Sequence, residues 1–335
     1  MGKLVDITES PDLARLRRMS SSPYRPEPPR NRVAVNFFMK IGKLLKRTNN
    51  YSPHLFKGSH MSKVEYEYNR GHEFIQSISG HVDASIFKGK DVLDIGCGWG
   101  GKTIYFAMNL GLKSIWGFDL PGVFLPEVPE SFAKERSIPN CLFTTGKAEE
   151  IPFENESFDL LIMDDVLEHV TCPERVLHEC YRVLRSEGSL IIKFPSFRMM
   201  GAHHLDRAIA FPGLHYLLSM KTWAAGLNYF LLQPGSGLSY EPFDEVISTQ
   251  YTSCVTSNLN GLDYAGFCNI VKGSAFDICF MECVRAGRRG KLKRNLFKRL
   301  YHFLYDMGVF KEFLSAYILF VGKKPRKGHL SKTTT

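Results

Sequence analysis

Between residues 91 and 196, short apolar runs alternate with stretches of helical spacing, and this rhythm restricts the chain to one kind of architecture. DVLDIG (91–96) precedes TIYFAMNLG, and SIWGFDL (114–120) precedes a helix near 130–137. NCLFTTGKA spans 140–148, FDLLIMDDV (158–166) precedes the helical PERVLHECYRVL (173–184), and GSLIIKFPS (188–196) follows. Strands that recur with helices between them form a parallel sheet covered on both faces. Ligands of such sheets lie beyond the C-terminal ends of the strands, so the residues that close each run are the ones to read for chemistry.

The first run closes in VLDIGCGWGGKT (92–103), with four glycines in six positions. Gly96, Gly98 and Gly101 fit the G-x-G-x-x-G spacing of a dinucleotide loop. Asp94 argues against that ligand: a carboxylate at the strand end would face the two negative charges of a pyrophosphate in a partly dry cleft. A ligand with a cationic amino acid end reverses the sign, because Asp94 attracts its ammonium while the glycine backbone approaches closely. S-adenosylmethionine carries both an ammonium and a sulfonium. Asp119, closing GFDL, suits a ribose, although dinucleotide folds also place an acid there.

Four segments in order, VLDIGCGWGGKTIYFA, GFDL, GKAEEIPFENESFDLLIMDDVLEHV and HECYRVLRSEGSLIIKFPS, resemble the successive motifs of class I S-adenosylmethionine-dependent methyltransferases. The resemblance covers roughly 90–197 and points to the small-molecule, type 11-like branch. It implies a Rossmann-like α/β fold: a seven-stranded sheet with the last strand antiparallel and helices on both faces. It further implies that Asp94, Gly96, Gly98 and Gly100 form the methionine-end pocket, that Asp119 binds the ribose and that Leu120 packs on adenine. Where the family has Gly-Asp-Ala, this chain has Gly146-Lys147-Ala148, and a lysine cannot accept a hydrogen bond from the adenine amino group. That contact falls to backbone near Lys147 and Ala148 or to Glu149. Asp164 is expected to border the methyl group, with Asp165 beside it. The implied chemistry is an in-line displacement in which an acceptor nucleophile takes the methyl group from sulfonium, driven largely by alignment and needing a base only for a protonated nucleophile.

Outside the core, residues 1–62 read as an N-terminal arm and a basic amphipathic helix, and 63–197 as the donor-binding core, entered through a helix over 63–79. The stretch 198–250, rich in aromatics, His and Gly, reads as a cap inserted over the site. Residues 251–325 complete the core with a helix, a strand, a basic helix and a last strand, and 326–335 form a tail. His203 and His204 in the cap, and His169 after the fourth strand, are the candidate catalytic residues. A histidine there suits a general base, and a structural role is the alternative. No metal site is expected.

The 335 residues carry a net charge of +9, from 43 Lys and Arg against 34 Asp and Glu, and much of the excess lies near the ends. Phe37, Phe38 and Ile41 oppose Lys40, Lys43, Lys46 and Arg47 at helical spacing, which makes an anionic membrane surface a partner to consider. No nucleic-acid recognition module is legible. Eight cysteines without a C-x-x-C pair, no secretory leader and no apolar run near 18 residues are the pattern of a cytoplasmic, reduced protein, peripheral on a membrane if the basic helix docks. The expected activity is methylation of a small or amphiphilic acceptor at oxygen or carbon, such as a lipid, isoprenoid, sugar or specialised metabolite. An RNA or protein methyltransferase, and a non-catalytic donor-fold protein that binds a partner or membrane, are the alternatives.

Overall fold

A computed structural model of the chain describes residues 60–121, 124–199, 259–285, 303–307 and 310–326, together with Phe37. The N-terminal arm, most of the basic helix, nearly all of the cap with His203 and His204, and the tail from 327 lie outside these residues.

Among the described residues seven strands form one sheet in the order β3-β2-β1-β4-β5-β7-β6. They are β1 (Asp91–Ile95), β2 (Ser114–Asp119), β3 (Cys141–Thr145), β4 (Phe158–Asp164), β5 (Leu184–Phe194), β6 (Asp277–Arg285) and β7 (Ser315–Lys323). β1 to β5 pair in parallel, while β7 runs antiparallel to both β5 and β6, as the resemblance implies. The helices are α1 (His60–Arg70), α2 (His72–Ile78), α3 (Gly101–Asn109), α4 (Glu127–Glu135), α5 (Pro173–Val183) and α6 (Tyr264–Lys272).

Period-two alternation sends the strand side chains into two cores. Leu93, Ile95, Leu161, Met163, Leu190 and Ile192 pack with residues of α5 and α6, whereas Val92, Leu160, Ile162 and Ile191 pack with residues of α1, α2, α3 and α4. By the same parity Asp94, Asp164 and Lys193 continue the second set, on the α1–α3 side at the C-terminal ends of three neighbouring strands. Strand order reverses between β1 and β4, so this row straddles the crevice where a doubly wound sheet binds its ligand.

Three expected boundaries move. The helix over 63–79 is two helices, α1 and α2, separated at Gly71, where a Cβ atom would lie 2.3 Å from Tyr105 Cγ. The helix near 130–137 begins at Glu127, behind Pro126 in helical conformation, and gives way before Ser137 at φ 56°. β5 starts at Leu184 rather than 188: Leu184 pairs with Phe158 and Ser189 with Leu160, and the extra residues bulge through Glu187 at φ 65°.

Candidate functional site

The glycine turn after β1 folds over the end of β2. The N–H groups of Gly96 and Cys97 both donate to Phe118 O, at 2.9 and 3.1 Å. Gly96, Gly98 and Gly100 all have positive φ (71°, 63° and 82°), which a side chain would strain. Asp119 locks the turn from β2, its Oδ2 accepting from Gly98 N at 2.8 Å and its Oδ1 from Leu120 N at 2.7 Å. Gly101, the third glycine of the dinucleotide spacing, serves packing instead: a Cβ there would meet Val64 O at 2.1 Å, so it lets α3 press against α1.

Asp94 is 2 % exposed, and its Oδ2 accepts from Thr103 Oγ1 at 2.6 Å. Burial pushes its carboxyl up to about 6, against the pull of Lys102 and of the Thr103 hydroxyl. Asp164 sits across the crevice, where Lys102 Nζ reaches its Oδ2 at 2.5 Å and Lys193 Nζ its Oδ1 at 2.7 Å. Asp164 and Lys193 are register partners on β4 and β5, so the sheet itself sets this second contact. Burial would raise Asp164, but the two ammonium groups outweigh it and hold it below the usual carboxylate range. Lys193 is further held 5.3 Å from the ring centroids of both Phe74 and Tyr317.

Glu67 of α1 completes the cluster. Its Oε2 accepts from Trp99 N at 3.1 Å and Gly101 N at 3.2 Å, and burial pushes it up to about 7. Trp99 lies under the ammonium of Lys63, 4.1 Å from the ring centroid, and so packs at the head of α3. Carboxylates thus outnumber ammonium groups at the crevice: Asp94, Asp119, Asp164, Asp165 and Glu67 all influence Lys102 or are influenced by it, with Lys193 as second cation.

The remaining expected residues sit around this centre. Leu120 is 48 % exposed at the rim, and Lys147 is exposed beside the buried Ala148. The Glu149 carboxylate accepts from Thr171 N at 2.8 Å and so ties the β3–β4 connection to the loop before α5. His169 Nε2 lies 3.7 Å from Glu168 Oε1 in a setting whose burial pushes the imidazole down to about 4, so it is neutral at physiological pH.

Sequence reasoning missed Glu67, Lys102, Thr103 and Lys193. Lys102 and Thr103 stand inside VLDIGCGWGGKT, in the first turn of α3 directly after the loop. Glu67 and Lys193 reach the site through tertiary packing and register, which leave no local signature.

A family profile described as a methyltransferase domain matches residues 93–192. Over 132 residues the chain is 34 % identical to phthiotriol/phenolphthiotriol dimycocerosates methyltransferase 1 of Mycobacterium ulcerans, covering 38 % of this chain and 45 % of that one. Over 108 residues it is 33 % identical to the demethylmenaquinone methyltransferase of Geobacillus sp., covering 32 % and 46 %. The chain thus spans less than half the length of these curated relatives. Among solved structures, the YcgJ protein of Bacillus subtilis superposes with a TM-score of 0.45 at 16 % identity, covering 77 % of this chain and 99 % of that one. Residues 93–192 thus match a methyltransferase domain, and the glycine turn, the strand-end acids and the antiparallel last strand stand as the resemblance to class I S-adenosylmethionine-dependent methyltransferases implies.

Proposed function

We propose that the protein transfers a methyl group from S-adenosylmethionine to a small or amphiphilic acceptor. The observation that carries this reading is the surplus of carboxylates gathered at the switch point, with Asp94 and Asp164 buried at its centre. A pyrophosphate would add charge of the same sign, whereas a ligand with an α-ammonium and a sulfonium relieves it. The residues fit that donor: Asp94 faces the crevice for the ammonium, Asp164 stands across from it to border the methyl group, Asp119 presents a carboxylate beside the turn for ribose hydroxyls, and Gly96, Gly98 and Gly100 supply the positive φ that the tight turn around the methionine end requires. Leu120 at the rim, with backbone at Lys147 and Ala148, is assigned to the adenine side. Glu149 is kept there only as a secondary contact, because its carboxylate already serves Thr171. The donor supplies an electrophilic methyl group, and the chain's own residues align it and exclude water.

His169 is neutral and can accept a hydrogen bond without first losing a proton, so it is assigned to the acceptor wall. His203 and His204 are proposed as the base where the acceptor is a hydroxyl. The amphiphilic class draws on the names of the two relatives, a phthiotriol/phenolphthiotriol dimycocerosates methyltransferase and a demethylmenaquinone methyltransferase. Among the described residues no helix is long and apolar enough to cross a membrane, and peripheral docking through the basic helix remains part of the proposal.

The test is equilibrium binding of radiolabelled S-adenosylmethionine, followed by transfer of label in extracts split into organic and aqueous fractions. Binding that Asp94→Ala abolishes, with label in the organic fraction, is the expected result. No binding to the wild type rejects the donor, and label in RNA or protein moves the acceptor to the alternative class.

A further inference from the structure

We propose that Lys102 is the residue that binds the donor's carboxylate, and that it leaves Asp164 to do so. This rests on the donor reading above. The Lys102 ammonium stands 2.5 Å from Asp164 Oδ2 and interacts with Asp94, Asp165 and Asp164 together. It therefore fills the acidic ground between β1 and β4 that attracts an α-ammonium. Two ammonium groups in that space repel, so a ligand that brings one displaces the other.

The displaced group has a defined place to go. An α-amino acid carries its carboxylate on the same carbon as its ammonium, so the anion arrives beside the acids that draw the cation. Glu67, Asp119 and Asp165 all oppose it. Lys193 is fixed by Asp164 on one side and by the faces of Phe74 and Tyr317 on the other. Among the described residues Lys102 has one hydrogen-bonded acceptor, Asp164, which keeps Lys193 as its counterion when Lys102 swings away. Lys102 also stands at the second position of α3, on a flexible four-carbon stem able to turn from the strand end toward the ligand.

A cycle that pairs one side chain with one ligand group isolates the contact. Affinities of the full-length wild type, Lys102→Met and Lys102→Arg are measured for S-adenosylmethionine and for its decarboxylated analogue, which keeps the adenosine, the sulfonium and an ammonium. The expected result is a wild-type preference for the carboxylated ligand of about 10- to 100-fold, the worth of a charge-assisted hydrogen bond, which disappears in Lys102→Met and is largely kept in Lys102→Arg. If Lys102→Met weakens both ligands by the same factor, or neither, Lys102 is only a counterion of Asp164 and the proposal is overturned. A wild type that binds both ligands equally also overturns it, while the donor reading stands. A wild type that binds neither ligand rejects the donor reading and this proposal with it. A thermal melt of each variant identifies misfolding, and Lys102→Arg then carries the comparison.

Discussion

Glu67 accepts a hydrogen bond from the backbone N–H of Gly101, the first residue of α3, at 3.2 Å, and α3 has no capping side chain of its own. The cap of the helix that follows the glycine turn thus comes from another helix, 34 residues earlier in the chain. α1 lies outside the segment that matches the family profile, residues 93–192, yet it fixes the shape of the loop inside it. Trp99 N donates to the same carboxyl group, so one side chain holds both sides of the turn.

Glu67→Ala is therefore expected to destabilise the fold by about 0.5–2 kcal/mol, the range for a lost helix cap. Its titration makes a sharper test. Burial raises the Glu67 carboxyl from 4.5 to about 7. A carboxyl that binds its proton more tightly when folded contributes fully below its unfolded pKa and loses that contribution as the pH rises through the folded one. Stability attributable to Glu67 should fall between pH 4.5 and 7, and Glu67→Gln should flatten that part of the urea-denaturation profile. An unchanged slope would remove Glu67 as its source.

Gly101→Ala tests the contact between α1 and α3. The added methyl would lie 2.1 Å from Val64 O and 2.6 Å from Tyr68 N, both backbone atoms that cannot rotate aside. Overpacking of this kind costs about 1–3 kcal/mol, and here it also pulls Glu67 off its donors. The midpoint of urea unfolding should drop, and ligand binding should weaken with it. A control at Gly80, where a Cβ would meet nothing within 4 Å, should leave both unchanged.

Much of this site was legible from the order of residues, and the remainder was not, for a physical reason. Asp119 and Asp164 close their strands, Asp94 stands one residue before the end of β1 and the glycines follow it, so an apolar run that stops at an acid or glycine marks them locally. Lys193 lies inside the run GSLIIKFPS, where its charge only becomes meaningful once parallel register sets it opposite Asp164. Glu67 sits in a helix of mixed polarity whose docking on α3 depends on a glycine 34 positions away. The need for glycine at 71 was hidden in the same way, because it answers to the ring of Tyr105 rather than to any neighbour in sequence.

The Thr103 hydroxyl is the sole side-chain donor to Asp94 among the described residues, and both groups are buried. Thr103→Val preserves the shape and removes the donor, leaving a carboxyl oxygen without its partner in a dry setting. A loss of about 1–3 kcal/mol is expected from urea denaturation at pH 7. The loss should shrink toward pH 5: the hydroxyl stabilises the charged form of Asp94, which burial already opposes up to about 6. A variant as stable as wild type at pH 7 would show that water replaces the hydroxyl.

Binding of S-adenosylhomocysteine should release protons. Its α-ammonium stays charged between pH 5 and 8 and favours the ionised form of Asp94, whose folded carboxyl titrates near 6 in the company of Lys102, Asp164 and Asp119. Part of the ligand's binding energy then expels a proton at low pH, so affinity should climb as the pH rises through about 6 and level off above it. Calorimetry at pH 6 in two buffers of different ionisation enthalpy reads the proton count directly. Asp94→Asn should bind more weakly and lose the step near 6. If Asp94→Asn keeps the full step, the proton comes from another carboxyl of the cluster, and the ammonium is not drawn to Asp94.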